Sequence, residues 1–346
     1  MKRIGSIYSM PASDTTRIAL ASPFASALRQ RGLTMVELLV AMVIGLLISL
    51  AAISALLVSR QGFSAVDASS QLRDNGRFVS DLIQRLGVQS GFRDALHASG
   101  VPPSVAGLAV DPEPNIRGFN DAMIDSTNPF TNSAARTTAD GSDILVMRYQ
   151  TAETFPGSGV SDGSMIDCKG GSSTTVPIDR YDRIASAIHL AVSKGEPSLM
   201  CTTVSTAGVT DTQPIVRGVE NFQVLYGVDS VVAGTVPIGT PDTVPDSYLR
   251  ADQLTVAGNP VATNANWRRV RSIRVGMVLR GPLNSAPDRT AQTFHPLGPA
   301  RSALGGAVGS AMSSANDNGT VYAPTPDGRL RQVVTFTVHL RNEQGL

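Results

Sequence analysis

Charged residues are scarce in this 346-residue sequence, and neither sign of charge dominates. Asp, Glu, Lys and Arg make up 16% of the chain, and 29 basic residues against 28 acidic ones give a formal net charge of +1. Because binding to a nucleic-acid backbone requires a basic excess, we expect no nucleic-acid partner. Aromatic residues are few as well, at 5%, while 32 Gly and 21 Pro indicate a loop-rich protein.

Residues that hold metals, phosphates or reacting groups are equally sparse. The two cysteines, Cys168 and Cys201, do not form a Cys-x-x-Cys pair, which argues against a zinc site. The four histidines are scattered singly along the chain: His97, His189, His295 and His339. The turns at 140–143, 169–171 and 305–306 lack the Lys-Ser/Thr of a phosphate-binding loop and the flanks of a nucleophile elbow. We therefore expect no metal, no cofactor and no catalytic site, so that the protein is not an enzyme.

The longest apolar run begins at Leu33 and ends at Val58, and its one charged residue is Glu37. Residues 38–58 are all uncharged, and as a helix they span about 30 Å, which is enough to cross the hydrocarbon core of a membrane. Residues 1–32 carry five basic side chains against one acidic one, which predicts a cytoplasmic N-terminus and places the rest of the chain across the membrane. The length argues against a buried core helix and a cleaved secretory signal, whereas a plain membrane anchor stays open.

The helical pattern continues past the apolar run, but on one face only. Apolar residues recur on that face up to about residue 91: Ala65, Ala68, Leu72, Val79, Leu82 and Leu86. A single apolar stripe predicts that residues 59–92 form an amphipathic half of the same helix and pack on a globular head.

The head is expected to occupy residues 93–346. Residues 97–141 are rich in Pro, Asn, Asp, Ser and Thr and predict a loop. Six later runs predict strands: 143–149, 183–192, 198–204, 219–228, 271–280 and 332–340. Apolar and polar residues alternate in the last two runs, which predicts a half-buried antiparallel sheet. The Pro- and Gly-rich stretch 281–328 predicts a loop that is functional or mobile. The expected fold class is α+β, with a long N-terminal helix on a loop-rich antiparallel head.

The junction before the apolar run resembles a known signal. Residues 31–42, Arg-Gly-Leu-Thr-Met-Val-Glu-Leu-Leu-Val-Ala-Met, resemble the type III signal of type IV pilins and of type II secretion pseudopilins. The resemblance implies that a prepilin peptidase cuts between Gly32 and Leu33 and methylates the new amino group. Residues 1–32 are then a leader, and Glu37 is the fifth mature residue.

A carboxylate inside an apolar helix needs a cationic partner. Cleavage would expose the amine of Leu33, one turn before Glu37, where a negative charge also suits the helix dipole. We expect Glu37 to serve as an assembly contact with the amine of an adjacent subunit.

Four segments of the head resemble PilW-type minor pilins: 195–201, 219–229, 267–281 and 329–342. The resemblance implies a pilin-like fold and a low-abundance subunit that helps to initiate and cap a type IV pilus. Its implied partners are other minor pilins, the major pilin and the inner-membrane assembly platform, and its implied location is the inner membrane with a periplasmic head. Many relatives carry an acidic loop after Asp229 that could bind a cation, but 230–237 has no carboxylate, so no metal is expected.

Other features of the head have structural interpretations. Cys168 and Cys201 both follow the membrane segment, so an oxidising compartment favours a disulfide between them over two buried thiols. The lone Trp267 is expected to pack in the core. The arginines within 268–280 are expected to form a solvated strand face rather than a DNA-binding surface.

Two other functions stay open. A J-like pseudopilin of a type II secretion system would share the leader, Glu37 and the plan of the head. A membrane-anchored periplasmic domain with adhesive or enzymatic activity would leave Gly32 uncut and would not enter a filament.

Overall fold

The structure is a computed structural model that describes residues 32–94, 113–138, 140–179, 181–205, 208–286, 288–305, 309–310, 312 and 317–342. The chain divides into two compact units, one ending at Leu57 and the other beginning at Val58. The predicted leader up to residue 31 and His97 lie outside the described residues.

Helix α1 extends from Met35 to Gln89 and contains no proline. It ends where Gly91 adopts a left-handed conformation, with φ of 78°, as glycine commonly does after a helix. The predicted stripe is confirmed, because Ala68, Leu72, Val79 and Leu86 are buried. Four further residues of α1 are also buried and were not part of the predicted stripe: Gly76, Ile83, Gly87 and Gln89.

One antiparallel sheet has five strands in the order β1-β4-β5-β6-β7. Its strands are β1 (Ile116–Phe119), β4 (Ile144–Tyr149), β5 (Ile184–Ser193), β6 (Glu196–Val204) and β7 (Thr210–Arg217). Strands β5 and β6 form a tight hairpin, because Lys194 and Gly195 both adopt positive φ angles and thus suit a two-residue turn. Two short strands, β2 (Ala122–Ile124) and β3 (Ser133–Ala135), pair with each other.

The second antiparallel sheet has four strands in the order β11-β10-β8-β9. Its strands are β8 (Val219–Val228), β9 (Ser247–Leu249), β10 (Val270–Arg280) and β11 (Arg331–His339). Helix α2 (Pro260–Trp267) lies between β9 and β10 in the chain, and Asn259 caps its N-terminus by accepting a hydrogen bond from Ala262 N at 3.0 Å.

The six predicted strands are present as β4, β5, β6, β8, β10 and β11. The prediction of a loop over 97–141 was wrong for its described part, which holds β1, β2 and β3. Strand β7 and helix α2 were not predicted either. Most of β7 is exposed and polar and it contains Pro214, so it lacks the apolar alternation by which a strand is recognised.

The core of the head joins the buried stripe of α1 to both large sheets in one apolar cluster. Trp267 is 2% exposed and packs edge-on against Tyr226 with ring centroids 4.7 Å apart, as expected of a core residue. Strand β10 is not half-buried as predicted, because the segment after it covers the face opposite α1. Leu297 of that segment is fully buried, and the carbonyl of Pro296 lies so close to Gly276 that no side chain would fit there.

Candidate functional site

The N-terminal part of α1 is the first candidate site. Among the described residues, α1 is the one helix long and apolar enough to cross a membrane, and its most apolar 18-residue window is not buried by the rest of the chain. Leu33 is 73% exposed and Leu46 is 70% exposed. Since α1 leaves so much apolar surface uncovered, this segment is built to contact lipid or other apolar helices.

Glu37 belongs to a capping box at the start of α1. Its carboxylate accepts hydrogen bonds from the backbone N–H of Thr34 at 2.9 Å and from the Thr34 hydroxyl at 3.0 Å. The Thr34 hydroxyl in turn accepts a bond from Glu37 N at 3.3 Å. This reciprocal arrangement satisfies two N–H groups that a helix start leaves without partners. The Thr-x-x-Glu spacing before an apolar run was the available sequence signal for this role of Thr34.

Gly32 lies just before this capping box, beside Leu33 at the predicted cleavage point. A Cβ atom built on Gly32 would meet no atom within 4 Å, and its φ angle lies outside the left-handed region. The fold of the described chain therefore gives no steric or conformational reason for glycine at this position.

Cys168 and Cys201 form the predicted disulfide, with Cα atoms 5.6 Å apart. Both cysteines are almost fully buried. The bond joins strand β6 to a turn in which the Asp167 carboxylate accepts bonds from Lys169 N and Gly171 N. The disulfide therefore fixes the position of residues 167–171, whose conformation would otherwise depend on the hydrogen bonds to Asp167.

The end of α1 is hydrogen-bonded to the segment that precedes this turn. The side chain of Gln89 donates to the carbonyl of Ile166 and accepts a bond from Ile166 N at 3.3 Å. On another side, the amide of Asn342 donates to the carbonyls of Val88 and Ser90 at 3.0 and 3.1 Å. The bond to Val88 satisfies a carbonyl group that the last turn of the helix leaves free.

The arginines within 268–280 do not form the solvated face expected from the sequence. Arg280 donates to Glu220 at 2.9 Å and to Glu196 at 2.7 Å, and Arg271 lies 3.5 Å from the buried carboxylate of Asp229. Arg269 donates to the carbonyls of Ile238 and Gly239, and Arg274 donates to the hydroxyl of Thr337. All of these side chains are half-buried and serve contacts within the head, which does not favour a DNA-binding surface.

Glu220 is the centre of this ion-pair network. Arg331 binds it through two nitrogens, at 2.6 and 3.1 Å, and also binds Asp327 at 2.8 and 3.0 Å. The carboxylate of Glu220 and the guanidinium of Arg331 are 5% and 6% exposed. A paired, hydrogen-bonded cluster of this kind joins β8, β10 and β11 and is costly to break one partner at a time.

The region after Asp229 shows no arrangement suited to a cation. One oxygen of Asp229 accepts bonds from Asp242 N at 3.0 Å and Thr243 N at 2.8 Å, so the carboxylate organises the loop backbone. Throughout the described ranges, no group of three His, Cys, Asp or Glu residues is placed to hold a metal ion.

His189 is a buried titratable residue on β5. Its Nε2 atom lies 2.8 Å from the hydroxyl of Thr202, which lies 2.8 Å from that of Thr212. Burial lowers the pKa of His189 to about 4, since the charged imidazolium would be separated from water. This histidine is therefore a neutral hydrogen-bonding group of the sheet.

Two protein families and a solved structure are similar to this chain. Residues 28–53 match the Prokaryotic N-terminal methylation motif, and residues 190–342 match the family described as Type IV Pilus-assembly protein W. A solved type IV-like pilin from Thermus thermophilus is 12% identical, and the comparison covers 79% of this chain and 98% of that chain at a TM-score of 0.35. None of the curated proteins matches the chain.

The methylation motif overlaps the exposed apolar helix, and an antiparallel head follows it, so the chain is similar to type IV pilin-like proteins in both parts. The second family match begins within β5 and ends just after β11, so it includes the whole four-stranded sheet. This match confirms the resemblance of the head to PilW-type minor pilins that was stated from the sequence.

Proposed function

We propose that this protein is a minor pilin that helps to initiate the assembly of a type IV pilus and caps its tip. A prepilin peptidase cuts after Gly32, and the mature chain crosses the inner membrane once, with its N-terminus in the cytoplasm and its head in the periplasm. The proposal rests on the methylation motif over 28–53, which overlaps an apolar helix that the other described residues leave uncovered. The PilW domain favours a pilus over a secretion pseudopilus.

The surroundings of Gly32 support cleavage at that position. Because the chain has room for a side chain there, the glycine is better explained by an active site that must accept the main chain closely. Glu37 supports assembly for a related reason. Its carboxylate is held at the first turn, where the amine of a neighbouring subunit's first residue would find a pre-positioned negative charge.

The head presents a second apolar surface suited to neighbouring subunits. Phe63, Val66 and Phe78 lie on the part of α1 that belongs to the head, and they are 74%, 69% and 54% exposed. They lie on the side of α1 opposite the buried stripe. Phe63 and Val66 are one turn apart and adjacent on this face, whereas Phe78 is more than three turns further along and is separated from them by polar residues such as Asp74 and Arg77. The pair Phe63 and Val66 is therefore the apolar surface that a neighbouring helix would cover.

The test compares two substitutions of the same kind. Gly32→Val should leave the leader attached, whereas Gly45→Val should be processed normally, since a Cβ atom meets nothing within 4 Å at either position. Intact mass and N-terminal analysis of membrane-extracted protein should find methylated Leu33 first in the wild type. A mature wild-type chain that retains its leader would refute the proposal.

The alternatives differ in what a deletion strain loses. A minor pilin mutant should make fewer pili and keep secretion, while a J-like pseudopilin mutant should show the reverse. We propose that the protein has no catalytic activity and binds no cofactor, since its polar side chains serve caps, turns and internal ion pairs. An adhesive or enzymatic anchored domain would instead never appear in sheared, purified filaments.

A further inference from the structure

Residues 317–322 lie in the long segment that the sequence predicted to be functional or mobile, and they pack against β8 and the turn before β4. The side-chain amide of Asn221 on β8 donates to Asp140 O at 2.6 Å and to Gly319 O at 3.1 Å. A Cβ atom on Gly319, which has a φ of 84°, would lie only 2.6 Å from Asp140 O. The 317–322 segment is therefore in close contact with two separate parts of the head.

Asp317 begins this segment, and its carboxyl group is buried. The side chain is 1% exposed, and its Oδ1 atom accepts no hydrogen bond from any residue that the structure describes. The Nε atom of Arg250 is 3.8 Å from Oδ1, which is too far for a hydrogen bond. Arg250 instead binds Asp252 through two nitrogens, both at 2.9 Å. An ionised carboxylate at this position is costly, because it has lost water and gained little in return.

Further carboxylates from other parts of the chain face Asp317. Asp121, between β1 and β2, accepts a bond from the side chain of Asn318 at 2.8 Å. Asp143, just before β4, is 3% exposed and accepts two backbone hydrogen bonds, at 2.9 and 2.7 Å. Both of these acids and Asp252 oppose a negative charge on Asp317. Like charges in a buried cluster favour the protonated form of the most deeply buried member.

The groups that favour an ionised Asp317 do not offset its burial. They are the guanidinium of Arg250 and the side-chain amide of Asn120. Arg136 also acts on the acidic cluster, but it is paired with Asp140 at 3.0 Å. Burial, the largest influence, raises the pKa of Asp317 to about 7.

We propose that Asp317 is a pH-sensitive switch that keeps the 317–322 segment docked on the head when it is protonated and releases the segment when it is ionised. The neutral carboxyl group can stay buried beside Asp121 and Asp143, whereas the ionised group is better solvated outside. Release would uncover the amide of Asn221 and the carbonyl of Asp140. The head would then have a tighter form at acid pH and a looser form at alkaline pH.

The direction and size of the effect follow from the two states of Asp317. In the released segment the carboxyl group is in water and has an ordinary pKa of about 3.9. Docking is therefore strongest below that value, weakens as pH rises, and levels off above about 7. Each pH unit between the two pKa values changes the equilibrium up to tenfold, so release should increase about hundredfold from about pH 5 to about pH 8.

The test measures amide hydrogen exchange of the full-length protein in detergent micelles over this pH range. Exchange of residues 317–322, corrected for the intrinsic rate at each pH, gives the equilibrium constant for release. That constant should rise about hundredfold in the wild-type protein and reach a plateau. The titration of His189 acts in the opposite direction, so a variant compared with the wild type at the same pH separates the two effects.

A matched pair of variants isolates the carboxyl group. Asp317→Asn keeps its size and carries no charge at any pH, so release should vary by less than about threefold. Asp74→Asn makes the same change on the exposed side of α1 and should keep the wild-type dependence. Asp252→Asn removes an opposing charge, so the midpoint of the pH dependence should move to lower pH. Tryptophan fluorescence checks that each variant folds, and the wild-type measurement needs no variant.

Release that varies by less than about threefold in the wild type, or that increases toward acid pH, would overturn the proposal. The wild-type dependence retained in Asp317→Asn would assign the titration to another group, such as Asp143, and would also overturn it. So would an unchanged midpoint in Asp252→Asn. Cleavage after Gly32 does not enter this measurement, so the switch is tested independently of the minor pilin function.

Discussion

Removing the bond between Cys168 and Cys201 should destabilise the head by an amount that the chain length within the loop sets. The two cysteines are 33 residues apart in sequence. Closing a loop of that size lowers the entropy of the unfolded chain by about 12 cal/mol/K, which corresponds to about 4 kcal/mol at 25 °C. Replacing both cysteines by alanine should therefore lower the free energy of unfolding by about that amount.

The head contains a built-in reporter for this measurement. Trp267 is the one tryptophan of the chain and is almost fully buried against Tyr226, so its fluorescence follows unfolding of the core. With a urea dependence of about 2 to 3 kcal/mol per molar, the midpoint should fall by about 1 to 2 M. Limited proteolysis should cut the double-alanine variant first near residues 164–171, since the bond fixes that segment to β6.

Two controls test whether the disulfide stabilises the head. Reductant should lower the midpoint of the wild-type protein and leave that of the double-alanine variant unchanged. Alkylation of the native protein without reductant should label neither cysteine. Full labelling of both, or equal midpoints for the wild type and the variant, would show that the bond does not stabilise the head.

Three further substitutions test separate contacts. Glu37→Gln keeps the capping-box geometry but loses the charge, so the variant should insert in the membrane yet not restore pili to a deletion strain. Thr34→Ala keeps the charge and should restore them. Pilus counts that rank the two variants the other way would contradict an assembly contact at Glu37. Burial lowers the pKa of His189 to about 4, whereas the unfolded value is about 6.5, so stability should fall as pH drops between these values. His189→Gln should remove about 2 kcal/mol of that loss, measured by urea titrations at about pH 7 and about pH 4.5. Equal acid losses in both proteins would exclude that role. Gly87→Val should overpack the contact with β11, lower the free energy of unfolding by about 1 to 3 kcal/mol and lower the thermal midpoint by several degrees. Gly62→Val is the control, because a Cβ atom there meets no atom within 4 Å, and it should leave the midpoint nearly unchanged.

The elements that the sequence predicts are those with a local pattern. Strand β8 was predicted with its observed bounds, because its apolar and β-branched residues are continuous and a glycine and a turn flank it. Helix α1 was recognised from its period and its lack of proline. The polar edge strand β7 escaped recognition because its stability comes from pairing with β6 and its side chains show no period.

The arginines of β10 show why side-chain roles are harder to predict than elements. Arg280 finds its partners 60 and 84 residues away in the sequence, at Glu220 and Glu196. No local pattern distinguishes such a paired arginine from a solvated one. The Thr34–Glu37 box is the opposite case, since both members lie within one turn and could have been inferred directly from their spacing.

The two glycines at which α1 meets β11 have a mechanical consequence. A Cβ atom at Gly76 would lie 2.8 Å from Val334 of β11, and one at Gly87 would lie 2.6 Å from Val338, so each glycine leaves room for a valine. The two glycines are about 16 Å apart along the helix at 1.5 Å per residue. A force along the axis of α1 would have to displace both valines from the space above their glycines at the same time, because a rigid helix cannot slide past one valine without sliding past the other. Shear between this part of the helix and the sheet is then resisted in a single cooperative step.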